Sequence, residues 1–238
     1  MTERARSTPA VNSVSDLVDE LRRLEGALSP GNGVKWFIRL YREVTEAIAL
    51  ELRGGHLEDP AFMELLVLVY GNGVLNVTED AEGRRSSRIS RAWAPLFERR
   101  NDHRVAPVQF AMAGLNAHTN HDVPIGLVHA GQTTDIELDS DSPQYRDYMR
   151  FTALIKSTSE DVKKWLVTGA LKEVDQTFGD VDDTIAIWSL QRARQAAWTS
   201  GEVLWSLRHN DRLTVAYVSV MDRMTGLAGR GLLLPTAV

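Results

Sequence analysis

The stretch NAHTNHD, residues 116 to 122, places two histidines, two asparagines and an aspartate within seven positions. Imidazole and carboxylate are the side chains that carry proton transfer and divalent-metal binding near neutral pH. On an α-helix at ~100° per residue, Gln109, Asn116 and Asn120 share one narrow sector. His118 and Asp122, four apart, fall together on roughly the opposite side, with His121 beside them. Such a pair can share one metal ion, with His121 as a further ligand, or the carboxylate can orient the imidazole as a general base. Asn116 and Asn120 could then hold a substrate carbonyl or a water.

The element that must position this cluster is VAPVQFAMAGL, residues 105 to 115, which is almost wholly apolar. A helix apolar in its remaining directions belongs in the interior. A buried polar group left without a partner costs about 1–3 kcal/mol, so each of these side chains needs satisfying. Two arrangements do that. In one the cluster lines a cavity and meets ligand, and in the other it is a buried network tying helices together. Pro107 is expected to open the helix and Pro124 to end it near Asp122, where a pocket could form.

The segment FAMAGLNAHTNHDVPIGLV, residues 110 to 128, resembles the signature of an uncharacterised, largely actinobacterial group, domain-of-unknown-function family 5995. Gly114, Leu115, Asn116, Ala117, His118, Asn120, Asp122, Val123 and Pro124 fit its pattern, and Thr119 departs mildly. The variable position falls on His121, so the resemblance favours His118 and Asp122 as the working pair. Looser matches are Tyr41 with Thr45, Asp59-Pro60, AWAPLF at 92 to 97, and an arginine followed by AAW ending at Trp198. VYGNGVLNV departs from the group's pattern. The resemblance implies a helical fold and a site at this motif, and no reaction.

Two better-understood helical families offer weaker parallels. Zinc-dependent phospholipases and nucleases carry His-x-x-x-Asp followed by proline and histidine, an order echoed by His118, Asp122, Pro124 and His129, with different spacing after Asp122. Phosphohydrolases with an adjacent His-Asp pair would use His121 and Asp122, with His56 or His103 upstream and Asp175 or Asp183 downstream.

Other clusters favour plainer readings. Arg84, Arg85, Arg88, Arg91, Arg99, Arg100 and Arg104 form a basic group that suits a solvated face, since acidic residues outnumber basic ones and no aromatics interleave for base stacking. DIELDSD at 135 to 141 lacks the central glycine and terminal glutamate of a calcium loop. Arg192 and Arg194 sit among Trp188, Trp198 and Trp205, and a buried arginine there would need a carboxylate, for which Asp122 or Glu64 is available. Tyr41 and Thr45 share a helix face that could line a pocket. No phosphate-binding glycine loop follows a strand and no Gly-x-Ser-x-Gly elbow appears, which argues against the familiar nucleotide-dependent kinases and serine hydrolases.

Helical periodicity runs through nearly the whole chain. Ser13 with Asp16 forms a capping signal ahead of Val14, Leu17, Val18, Leu21, Leu24 and Leu28. Further helices are expected over 34–52, from Asp59-Pro60 through AFMELLVLVYGNGVLNV, around Ile89 to Phe97, over 107–122, over 144–174, from DVDD at 180 to 183 as far as Arg208, and from Asp211 onward. The GNG at 71 to 73 calls for a kink or a close backbone approach, as glycine costs ~1 kcal/mol in a helix interior.

The expected fold is therefore one all-α, bundle-like domain of about eight helices over 13–238, behind a flexible tail at 1–12. The 238 residues can bury a substantial core, and the net charge of −5 argues against nucleic acid as the partner. There are no cysteines, which removes disulfides and thiolate chemistry and suits a reducing cytoplasm. No segment reads as a signal peptide, and none as a membrane span of ~20 apolar residues.

The function expected is a small-molecule enzyme of bacterial metabolism with His118 and Asp122 as catalytic pair. Asn116, Asn120, Tyr41 and Arg192 would contact substrate, and His118, Asp122 and His121 would hold a zinc, iron or manganese ion for assisted hydrolysis. Metal-free acid–base isomerisation or cyclisation of an apolar substrate is one alternative, and a non-catalytic ligand-binding or interaction protein is another. Oligomeric state is left open.

Overall fold

The computed structural model describes residues 10–81, 89–170 and 190–235, with backbone alone for residue 156 and residues 158–170. Its helices are α1 (Val14–Ala27), α2 (Val34–Arg53), α3 (Pro60–Ala81), α4 (Ala94–Arg99), α5 (Pro107–Ala117), α6 (Val123–Thr134), α7 (Pro143–Ala170), α8 (Leu190–Leu207) and α9 (Asp211–Leu232). No strand occurs among the described residues, so the fold is all-α as the periodicity predicts. The expected start of α8 at DVDD, and the residues around Arg84, Arg85 and Arg88, lie outside the described residues.

The first helix forms for the reasons legible in its sequence. Ser13 Oγ accepts the Asp16 N–H, and Leu17, Leu21 and Leu24 recur on one face, where all three are buried. Each such leucine contributes roughly 1.5–3 kcal/mol on leaving water. Val11, expected in a free tail, is instead held by Asn72, whose side chain accepts the Val11 N–H and donates to its carbonyl.

Helix α3 passes through its GNG without a break. A β-carbon at Gly71 would lie 2.2 Å from Leu17 Cδ2, so the glycine lets α1 press against the α3 backbone. Close approach, not a kink, is its reason. By length and apolarity α3 is also the one described helix that could cross a membrane, although half of that window is buried inside the fold.

The central feature is a rod made of α5 and α6. They are joined by a single π-helical turn, His118–Asp122, in which the Val123 N–H bonds to the His118 carbonyl, five residues back. Pro124 therefore does not end the helix as expected. The wider turn shifts the hydrogen-bond register around the proline, whose ring nitrogen has no proton to donate, and α6 continues to Thr134. Around this rod, α5 packs against α2 and α9, and α6 packs against α3 and α8. One continuous apolar core runs from Val14 to Leu233.

Candidate functional site

Because the rod is enclosed on several sides, the side chains of the NAHTNHD motif are sent to different neighbours. The α9-facing sector carries the amides. Asn116 Nδ2 donates to the Thr225 carbonyl at 3.0 Å, and its Oδ1 accepts from Asn120 Nδ2 at 3.0 Å. About two turns earlier on the same face, Gln109 Oε1 accepts the Ala106 N–H at the start of α5. Its Nε2 donates to the Leu232 and Leu234 carbonyls at the end of α9. The three residues projected onto one sector thus do share a face, and that face binds protein. Of the two asparagines expected to hold substrate, Asn116 docks α9 instead and Asn120 is bonded to Asn116.

Asp122 is also committed. Its Oδ2 accepts from Trp93 Nε1 at 2.9 Å and its Oδ1 faces His121 Nδ1 at 2.7 Å. The other nitrogen of His121 lies 3.8 Å from Asp222 Oδ1, the oxygen that also accepts the Ala92 N–H. No hydrogen bond joins His118 to Asp122, so the expected His–carboxylate couple is formed by His121 instead. The π turn explains this: it holds more residues per turn, and each side chain after His118 falls behind its α-helical projection.

His118 points elsewhere, into a cavity between the rod and helices α2, α3, α7 and α8. The cavity holds about 60 Å³ of free space, bordered largely by apolar side chains such as Phe37, Leu66, Val67 and Phe151. Room on this scale accepts a few waters or a small organic group. Tyr41 and Thr45 line it as the helix-face argument expects. Tyr70, Tyr148 and Arg194 line it too, and single-residue spacing offered no signal for the two tyrosines.

The imidazole stands edge-on to both Tyr41 and Tyr70, with ring centres 5.1 and 5.3 Å away. Its Nδ1 is buried without a hydrogen-bond partner. Burial pushes the His118 pKa down to about 4; the Asp122 charge opposes the shift and the Arg194 charge adds to it. At neutral pH the ring is therefore uncharged. Burial, and to a smaller degree Asp122, raises the Tyr41 pKa, so its hydroxyl keeps its proton. Tyr70 donates to the Val123 carbonyl at 3.1 Å, which fixes it beneath the π turn. Gly126 makes room for that ring, since a β-carbon there would sit 2.4 Å from Tyr70 Cε1.

Of the two arginines in α8, Arg192 is exposed and Arg194 is buried in the cavity wall. The expected role of Arg192 in contacting substrate therefore has no support, and Arg194 occupies the place proposed for it. This is the arginine ahead of AAW. Its Nε donates to Thr152 Oγ1, its Nη2 donates to the Tyr148 carbonyl, and its guanidinium lies 3.9 Å above the Tyr148 ring. Neither Asp122 nor exposed Glu64 pairs with it.

The donor set does not fit the expected metal ion. Among the described residues, no three histidine, aspartate or glutamate side chains converge. His118 is surrounded by tyrosines, and both nitrogens of His121 already face carboxylates. His56, His103 and His129, the further histidines of the two weaker parallels, are exposed, and Asp175 and Asp183 lie outside the described residues.

The chain was also compared with known proteins. No curated protein and no solved structure matches it. One family does match, over residues 14–235, and it covers the π turn, the cavity and every helix around them. The chain belongs to the family of unknown function DUF5995.

Proposed function

We propose that the protein is a small-molecule enzyme working by metal-free acid–base chemistry at His118, such as isomerisation or cyclisation of a largely apolar substrate. The observation that carries this reading is a neutral imidazole with an unpartnered Nδ1, bordering an apolar cavity, beside a tyrosine hydroxyl that stays protonated. His118 would accept a proton from carbon or oxygen, and Tyr41 would donate one or hold the developing oxyanion. The low basicity of His118 suits a substrate whose proton is already acidified, or a rise in pKa when a ligand displaces water. Metal-assisted hydrolysis finds less support, because the carboxylate it requires is bound to Trp93 and His121.

A structural role is favoured for Asn116, Asn120 and Asp122, whose hydrogen bonds all go to protein groups, and not for His118. The test is to incubate the protein with a bacterial metabolite extract and follow compounds by chromatography with mass detection. The expected result is a compound that changes retention without changing mass, unaffected by EDTA, and unchanged when His118→Phe or Tyr41→Phe protein is used. Turnover abolished by EDTA and restored by zinc or manganese would replace this reading with the metal-dependent one.

A further inference from the structure

Arg194 carries a buried charge for which the described residues supply no counter-ion. It is 6% exposed, and among the described residues no carboxylate pairs with it. Of its five N–H groups, the Nε–H goes to Thr152 and one Nη2–H to the Tyr148 carbonyl. Among the described residues, Nη1 and the second Nη2–H, the end of the fork, have no protein acceptor. Burying a guanidinium is costly unless a counter-charge completes it, so an arginine kept in an apolar wall implies an anion that comes and goes.

The supports around Arg194 hold it in place rather than neutralise it. Thr152 and the Tyr148 ring fix the plane of the guanidinium, and Thr152 Oγ1 also donates to the Tyr148 carbonyl. The Tyr148 hydroxyl returns to the Arg194 carbonyl at 3.1 Å, which ties α7 to α8 at this point. A planar fork with its end free matches a carboxylate, which can accept two parallel N–H bonds from it. Arg194 shares the lining of the largely apolar cavity with His118 and Tyr41.

We propose that the cavity takes a small carboxylic acid, with its carboxylate seated on the free end of Arg194 and its apolar body directed toward His118. This rests on the cavity being a ligand site, as proposed above, and adds the substrate class. The carboxylate would anchor the molecule, and the bond to be rearranged would lie near the imidazole. The neutral His118 would then take a proton from a carbon made acidic by an adjacent unsaturated group and return it to another carbon of the same conjugated system, so that the double bond moves and nothing is oxidised or reduced.

The experiment compares butyrate and hexanoate with butanamide and hexanamide, which keep the planar head and lose the charge. Binding is measured by calorimetry, and its place by the His118 ring signals in NMR spectra of the wild-type chain. The expected result is that both acids shift the His118 signals and bind at least ~10-fold more tightly than their amides. That preference should fall in Arg194→Lys and vanish in Arg194→Met. Acid and amide binding equally, with His118 signals moving, would overturn carboxylate recognition while leaving the ligand site standing. Tighter binding of butyl phosphate than of butyrate would also overturn it. No probe shifting His118 would remove both readings. The acid-to-amide comparison needs only wild-type protein, so a variant that failed to fold would not decide the matter.

Discussion

His118 is a buried histidine whose Nδ1 makes no hydrogen bond among the described residues, and its titration should show this. Its pKa falls from an ordinary 6.5 to about 4 in the folded chain, with Tyr41, Tyr70, Asp122 and Arg194 as the groups around it. Between those values the unfolded chain binds the proton and the folded chain does not. Stability therefore falls as pH drops from about 6.5 to about 4, by up to ~3 kcal/mol, and is insensitive to this group above pH 6.5. Denaturant unfolding at a series of pH values checks it, with His118→Phe expected to lose this part of the slope. The same substitution separates functional from structural burial. Replacing an unpartnered imidazole by a phenyl ring strands nothing, so His118→Phe should leave the melting temperature unchanged or raise it. Asn116→Ala should lower stability by about 1–3 kcal/mol, because the Thr225 carbonyl and the Asn120 amide each lose a buried partner.

At the level of elements, the π turn is the device that decides what the motif does. An uninterrupted α-helix would aim His118 and Asp122 at one place. One wider turn, accommodating Pro124, releases Asp122 to Trp93 and His121 and leaves His118 with the tyrosines. Tyr70 is then held under the turn by its bond to Val123 and by the space at Gly126. Gly126→Ala should therefore displace Tyr70 and cost about 1–3 kcal/mol, as overpacking does. Thermal unfolding gives the magnitude, and the Tyr70 ring signals in NMR spectra should shift while those of Trp36, whose atoms are not among those nearest Gly126, do not.

Over the whole molecule, two helices from the C-terminal third complete a site begun in the first half. Helix α8 brings Arg194 to the cavity, and α9 closes over the amide face of the rod. Gln109 fastens the end of α9 through two carbonyls, and Asp222 fastens its middle to the Ala92 N–H. Gln109→Ala should leave the Leu232 and Leu234 carbonyls unsatisfied and speed hydrogen exchange over about the last two turns of α9. Exchange in α2 and α3 should be unchanged. If α3 and α9 accelerated together, the C-terminal helix would be part of a single cooperative core instead.

Much was legible in the sequence by itself. The 3.6-residue periodicity of apolar positions, with Ser13, Asp59 and Pro107 as start signals, determined the helices and the all-α class, because burial of one face is a local property of the pattern. Composition placed the 107–117 helix inside, and projection placed Gln109, Asn116 and Asn120 on one face. The signature residues from Gly114 to Pro124 pointed to the family. Tertiary structure alone decided the partners. Whether Pro124 ends a helix or is absorbed by a π turn depends on what packs against α6, and residue spacing cannot register that. Choosing Arg194 over Arg192, or His121 over His118 as the partner of Asp122, required knowing which neighbours stand on each side of a helix buried all round, where every direction is apolar and periodicity carries no orientation.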